Sequence, residues 1–130
     1  MLADAGAAVT HIDPPEGPRW RSDANILLNR GKTCLSVDLK SAHGRAQASA
    51  LVRKADVVIE NFAPGVMERL GFSAAAVKDI NPRCIYLSMP GFRSDDEARA
   101  ELKAFEAIIL TESKHICSDY MVLSIFSITD

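Results

Sequence analysis

The sequence lacks several features that would mark it as belonging to a particular protein class. No run approaches the ~20 apolar residues that a membrane-spanning helix needs. The stretch from Met1 to Asp13 has neither a basic leader nor the long apolar core of a secretory signal. Cysteine is scarce: Cys34, Cys84 and Cys117 are odd in number and widely spaced, which implies no disulfide framework and fits a reducing, cytoplasmic compartment. Excess charge is absent too. Fifteen basic residues face 17 acidic ones for a net charge of −2, so nothing draws the chain as a whole to nucleic acid or to an anionic membrane. A local basic site for a small anion is left open. No G-x-G-x-x-G, no G-x-x-x-x-G-K-[ST] and no G-x-S-x-G occurs, which removes the usual anchors for dinucleotide, P-loop and α/β-hydrolase chemistry. His115 and Cys117 form one H-x-C pair without a second, and His11 and His43 stand far from it. Structural zinc takes four ligands, so the expectation is no metal, with these three as surface histidines.

What is present is an ordinary globular mix. The 130 residues are 48% hydrophobic and 25% charged, enough for one domain or a piece of a larger one. Met1 to Ala5 reads as the last turn of a helix stopped by Gly6, which suggests a chain trimmed at its start. Ala8 to Ile12 reads as a strand. Asp13 to Pro18, with three prolines and a glycine, is loop. Asn25 to Leu28 makes a helical turn. Thr33 to Leu39 is a second strand, with Leu35, Val37 and Leu39 on one face. Ser41 caps a helix to about Ala55, with Ala46, Ala50 and Leu51 turned inward. Gly44 weakens that helix by ~1 kcal/mol against alanine. Asp56 to Glu60 is a continuous apolar run of the kind buried on both faces of a parallel sheet. Asn61 to Gly65 is a turn, Val66 to Leu70 a short helix closed by Gly71. Ser73 caps a further helix with Val77 and Ile80 inward, ended by Asn81-Pro82. Cys84 to Met89 is the fourth strand, and Glu97 to Leu110 is read as a helix.

This alternation of strands and helices predicts an α/β fold, a Rossmann-like, mostly parallel sheet, over residues 1–112. Residues 113–130 form a divergent tail. Its apolar run, Tyr120 to Ile128, is open between one more strand and no regular element. Ligands of such sheets sit beyond the carboxyl ends of the strands. Those ends carry Asp13-Pro14-Pro15, Lys40, Asn61-Phe62 and Pro90-Gly91-Phe92.

Two clusters could carry chemistry. Asn29-Arg30-Gly31-Lys32 before the second strand and Asp38-Leu39-Lys40 after it suit a phosphate, or else are a solvated basic turn. Glu60 to Gly71 offers an amide, an aromatic ring, a rigid Pro-Gly turn and then Arg69. That set could hold a flat heterocycle and a phosphate, or be a structural turn.

The runs Asn29-Arg30-Gly31-Lys32, Val37-Asp38-Leu39-Lys40, Ala55 to Gly71 (ADVVIENFAPGVMERLG) and Ile80 to Tyr86 (INPRCIY) resemble, in order and spacing, the family III CoA-transferases (CaiB/BaiF family). The resemblance covers residues 2–112. It implies a Rossmann-like large domain with a small domain, two chains interlocked as a homodimer, and acyl-CoA and a carboxylic acid as substrates. Coenzyme A would lie across the large domain. Carried over by position, Val37 and Lys40 line the adenine and phosphate region, Asn61 and Phe62 contact the pantetheine and adenine side, Arg69 binds phosphate and Lys103 adds a basic contact.

Three departures stand out. The family's first strand and loop would precede Met1. A basic residue that often follows the first strand here is Pro14. The family's nucleophilic aspartate, which forms mixed anhydrides and an aspartyl-CoA thioester, would fall past Asp130, and neither Asp119 nor Asp130 has the expected surroundings. The expectation is therefore part of a CoA-transferase that holds much of the CoA site without the nucleophile, and that does not turn over alone. The related racemases place a His-Asp pair where this chain has Phe105-Glu106. Phenylalanine cannot shuttle a proton, which disfavours a racemase or epimerase. A non-catalytic CoA-binding domain is the other alternative.

Overall fold

The computed structural model describes residues 2–18, 23–90 and 123–127. Short runs rich in β-branched residues form the strands: β1 (Ala8–Asp13), β2 (Lys32–Ser36), β3 (Val57–Glu60), β4 (Ile85–Ser88) and β5 (Leu123–Ser127). Between them lie α1 (Asp23–Leu28), α2 (Ala42–Val52), α3 (Val66–Leu70) and α4 (Ala74–Ile80). Both longer helices begin on a serine, as the sequence predicts. The Ser41 hydroxyl accepts from the Gly44 N–H and that of Ser73 from the Ala76 N–H.

The five strands make one sheet in the order β2-β1-β5-β3-β4. β1 pairs in parallel with β2, and β3 with β4, whereas β5 runs antiparallel to both β1 and β3. Four strands thus point the same way, and their carboxyl ends share one edge. The apolar run left open in the tail contributes β5, inserted between the two parallel pairs. Successive side chains alternate between faces, and the register puts Ile12, Val58 and Ile125 on the same one. There they join Ala48 and Val52 of α2, Met67 of α3 and Val77 of α4 in a single core.

The structure corrects several expectations. In α2 the inward stripe is Gly44, Ala48 and Val52, while Ala46 and Ala50 are exposed. The cause is the first turn of the helix, which is pressed against the Asp38 carbonyl so that only glycine fits at position 44. Residues four and eight further on then face the same way. β3 is not buried on both faces: Val58 and Glu60 are buried, but Val57 and Ile59 only half so. On that second face β4 leaves Ile85 and Leu87 exposed. β2 ends at Ser36 rather than Leu39. The Val37 N–H still reaches the Asp13 carbonyl, but the chain then turns, with the Ser41 N–H on the Asp38 carbonyl. The helix expected over Glu97 to Leu110 lies outside the described residues.

Candidate functional site

β3 delivers Glu60, Asn61 and Phe62 to the carboxyl edge. Pro64 and Gly65 then reverse the chain into α3. Gly65 takes φ 77°, a left-handed conformation that side chains with a Cβ resist, and it starts α3 without a side-chain cap. Between this turn and the end of β4 lies a cavity of about 750 Å³, with Glu60, Phe62, Met67, Glu68 and Tyr86 in its wall.

Glu60 is only 4% exposed. A buried carboxylate is tolerated when its oxygens are hydrogen-bonded, and here they are. Oε2 accepts the Phe62 N–H at 2.8 Å, and the Tyr86 hydroxyl stands 3.4 Å from Oε1. Burial pushes the Tyr86 phenol well above its ordinary value, and the Glu60 charge and hydrogen bond push the same way. Because the folded value is raised, the neutral phenol's contribution to stability is complete below about pH 10 and is lost as pH climbs toward the folded value. We expect Glu60→Gln to lower the pH at which Tyr86 ionises, read from phenolate absorbance against wild type. Burial alone would keep it above that of free tyrosine.

The residues singled out in the sequence fall in different places. Asn61 and Phe62 are half-buried at the β3 corner, and Phe62 lines the cavity and packs on the core. Arg69 is exposed on α3, its guanidinium folded back beside Gly65. Lys40 is exposed in the turn before α2, next to Arg45, which donates to the Lys40 carbonyl at 2.6 Å. Val37 is a core residue, 6% exposed. Lys103 lies outside the described residues. β2 and β3 are three positions apart in the sheet, so the Lys40 end and the Asn61 corner are separated by about 14 Å of sheet.

The first candidate cluster does not hold together. Asn29 to Lys32 enters β2 at the amino edge, whereas Lys40 follows it at the other, with a strand of about 16 Å between them. Arg30 is also engaged, donating to the Asp4 carboxylate at 3.0 Å and to the Leu27 carbonyl at 3.0 Å. His43 is exposed as expected, but His11 is not: it is buried beside Val9, with Nε2 3.1 Å from Asp13 Oδ1. His115 lies outside the described residues. Partial desolvation, reinforced by Asp13, raises the thiol of Cys34 although the residue is exposed, which opposes a thiolate nucleophile there. Among the described residues no group of three His, Cys, Asp or Glu side chains could hold a metal ion, and no helix is long and apolar enough to cross a membrane. The sequence does not mark Tyr86 as a site residue, and Glu60 stands at the head of the second candidate cluster without a role of its own. A glutamate ending an apolar strand is visible there, but Tyr86 pairs with Val58 and meets Glu60 only diagonally across the ladder.

Residues 1–114 match the model of CoA-transferase family III. The chain belongs to this family. Among curated relatives, it is 51% identical over 113 residues to the CoA-transferase/lyase DddD of Marinomonas sp., covering 87% of this chain and 14% of that protein. It is 33% identical over 118 residues to the formyl-CoA:oxalate CoA-transferase of Streptomyces avermitilis, covering 83% and 28%. The crystal structure of a CaiB/BaiF family protein from Brucella suis superposes with a TM-score of 0.76 at 34% identity, over 85% of this chain and 33% of that one. The chain thus spans well under half the length of these family III proteins.

Proposed function

We propose that this chain supplies the coenzyme A-binding part of a family III CoA-transferase, which moves CoA between an acyl-CoA and a carboxylic acid through an aspartyl intermediate. The observation that carries this reading is the Asn61–Phe62 corner beside an open cavity at the carboxyl edge, in a chain matched to the family over residues 1–114. No residue of this chain is assigned the nucleophile's part. Charge divides the ligand between two regions. The described wall of the cavity holds two carboxylates, Glu60 and Glu68, and no lysine or arginine, so it suits the uncharged pantetheine arm. The phosphates belong with Lys40 and Arg69, and with Lys103 by family position. Val37, in the core, acts by supporting the Lys40 turn from below. Homodimerisation of the whole protein and a cytoplasmic setting complete the proposal, the latter supported by the free thiols of Cys34 and Cys84.

Calorimetric titration of CoA into the 130-residue chain tests the reading. Wild type should bind, and Arg69→Ala or Lys40→Ala should each weaken binding about tenfold, the worth of one charge-assisted phosphate contact. The loss should shrink at high salt. Absence of binding heat with wild type, or unchanged affinity in both variants, would overturn it.

A further inference from the structure

Among the described residues, Glu60 and His11 are the buried polar or charged side chains. Glu60 ends a strand whose preceding residues are all apolar, where a further aliphatic side chain would avoid the cost of desolvating a carboxylate. It is also fixed from three sides. Its carbonyl accepts the Met89 N–H at 2.8 Å, Oε2 accepts the Phe62 N–H at 2.8 Å, and Tyr86 approaches Oε1 from β4. The bond to Phe62 is the informative one. The described sheet ladder stops at Glu60, so among the described residues the Phe62 N–H has no strand partner. A side chain that accepts the N–H two residues ahead closes a turn around the residue between them. That residue is Asn61. The turn therefore sets the direction in which both the Asn61 and Phe62 side chains leave the backbone.

We propose that Glu60 is the positioning residue of the coenzyme A corner. It fixes Asn61 and Phe62 through Oε2, and Tyr86 steadies the carboxylate through its other oxygen, Oε1. This rests on the reading that CoA occupies this edge. The role requires an acceptor of the right length, not a charge. The other carboxylate in the cavity wall, Glu68, is exposed on α3.

Two variants of the full chain separate the possibilities. Glu60→Gln keeps an acceptor at the same reach. Glu60→Met keeps the length and favours burial but accepts no such bond. Amide hydrogen exchange at Phe62, followed by NMR, should accelerate about tenfold or more in Glu60→Met and stay near wild type in Glu60→Gln, with the core amides of Val58 and Val77 unchanged in both. CoA affinity should fall about tenfold in Glu60→Met and recover in Glu60→Gln. Unchanged Phe62 exchange in Glu60→Met overturns the proposal. So does equal loss of CoA affinity in both variants, which would assign the role to the charge. If wild type takes up no CoA, the ligand reading fails, and the Phe62 exchange alone decides whether Glu60 holds the corner.

Discussion

Replacing Gly44 with alanine should destabilise the protein by about 3 kcal/mol, the upper end of what a forced steric insertion costs, and lower Tm by roughly 10 °C. Helix propensity alone gives the opposite sign, a gain of ~1 kcal/mol. The deciding fact is what a Cβ would meet: it would stand 2.0 Å from the Asp38 carbonyl oxygen and 2.6 Å from its carbon. Both are backbone atoms, and they cannot swing aside. The same carbonyl accepts the Ser41 N–H at 3.1 Å and the Ser41 hydroxyl at 2.9 Å, while that hydroxyl accepts the Gly44 N–H at 2.9 Å. Making room for a methyl group breaks this cap. Lys40 sits inside it, its N–H on Asp38 Oδ1, so CoA affinity should fall with stability. A rise in Tm, measured by differential scanning calorimetry, would show that the close approach does not exist.

Asn81→Ala should cost about 2 kcal/mol, because it takes from the Ala55 carbonyl its described side-chain donor and leaves the Val52 carbonyl at the end of α2 with the Ala55 N–H alone. The Asn81 amide donates to the Ala55 carbonyl at 2.8 Å and to the Val52 carbonyl at 3.0 Å. Its oxygen accepts the Arg83 N–H at 3.1 Å. One side chain thereby fastens the end of α2 to the turn after α4. Asn81→Asp should be worse still, since a carboxylate would face those carbonyls with no hydrogen to donate. Urea denaturation checks both: the midpoint should fall at constant m. An unchanged midpoint in Asn81→Ala would remove the amide's role.

What was legible in the sequence was local. Ser41 and Ser73 announce their helices because a cap depends on a residue and the next three. Gly71 and Asn81-Pro82 mark ends for similar reasons. The runs from Ala55 to Gly71 and from Ile80 to Tyr86 were enough to indicate the family, and the alternation of elements indicated the sheet. What was not legible depends on contacts across the chain. The rotation of α2 follows from Asp38, which lies outside the helix, so an alanine-rich pattern could not reveal it. Asn29–Lys32 and Lys40 are near in sequence but stand at opposite ends of β2, since an extended strand separates what it connects. His11 is polar, yet its strand position beside Val9 and its partner Asp13 bury it. Asn81 read as a stop signal, while its longer reach to α2 needed the fold. At the candidate site, Asn61, Phe62 and Arg69 could be named from the family pattern, but the wall built by Glu60 and Tyr86 required the register of β3 on β4.

The placement of β5 bears on how the protein is made. A nascent chain leaves the ribosome with β1–β2 and then β3–β4 complete, yet the described ladder joins neither pair to the other until residues 123–127 emerge and slide between them. Joining segments so remote from one another raises the contact order and slows folding. Until then two unpaired hydrogen-bonding rims stand open, the kind of surface that chaperones protect during synthesis.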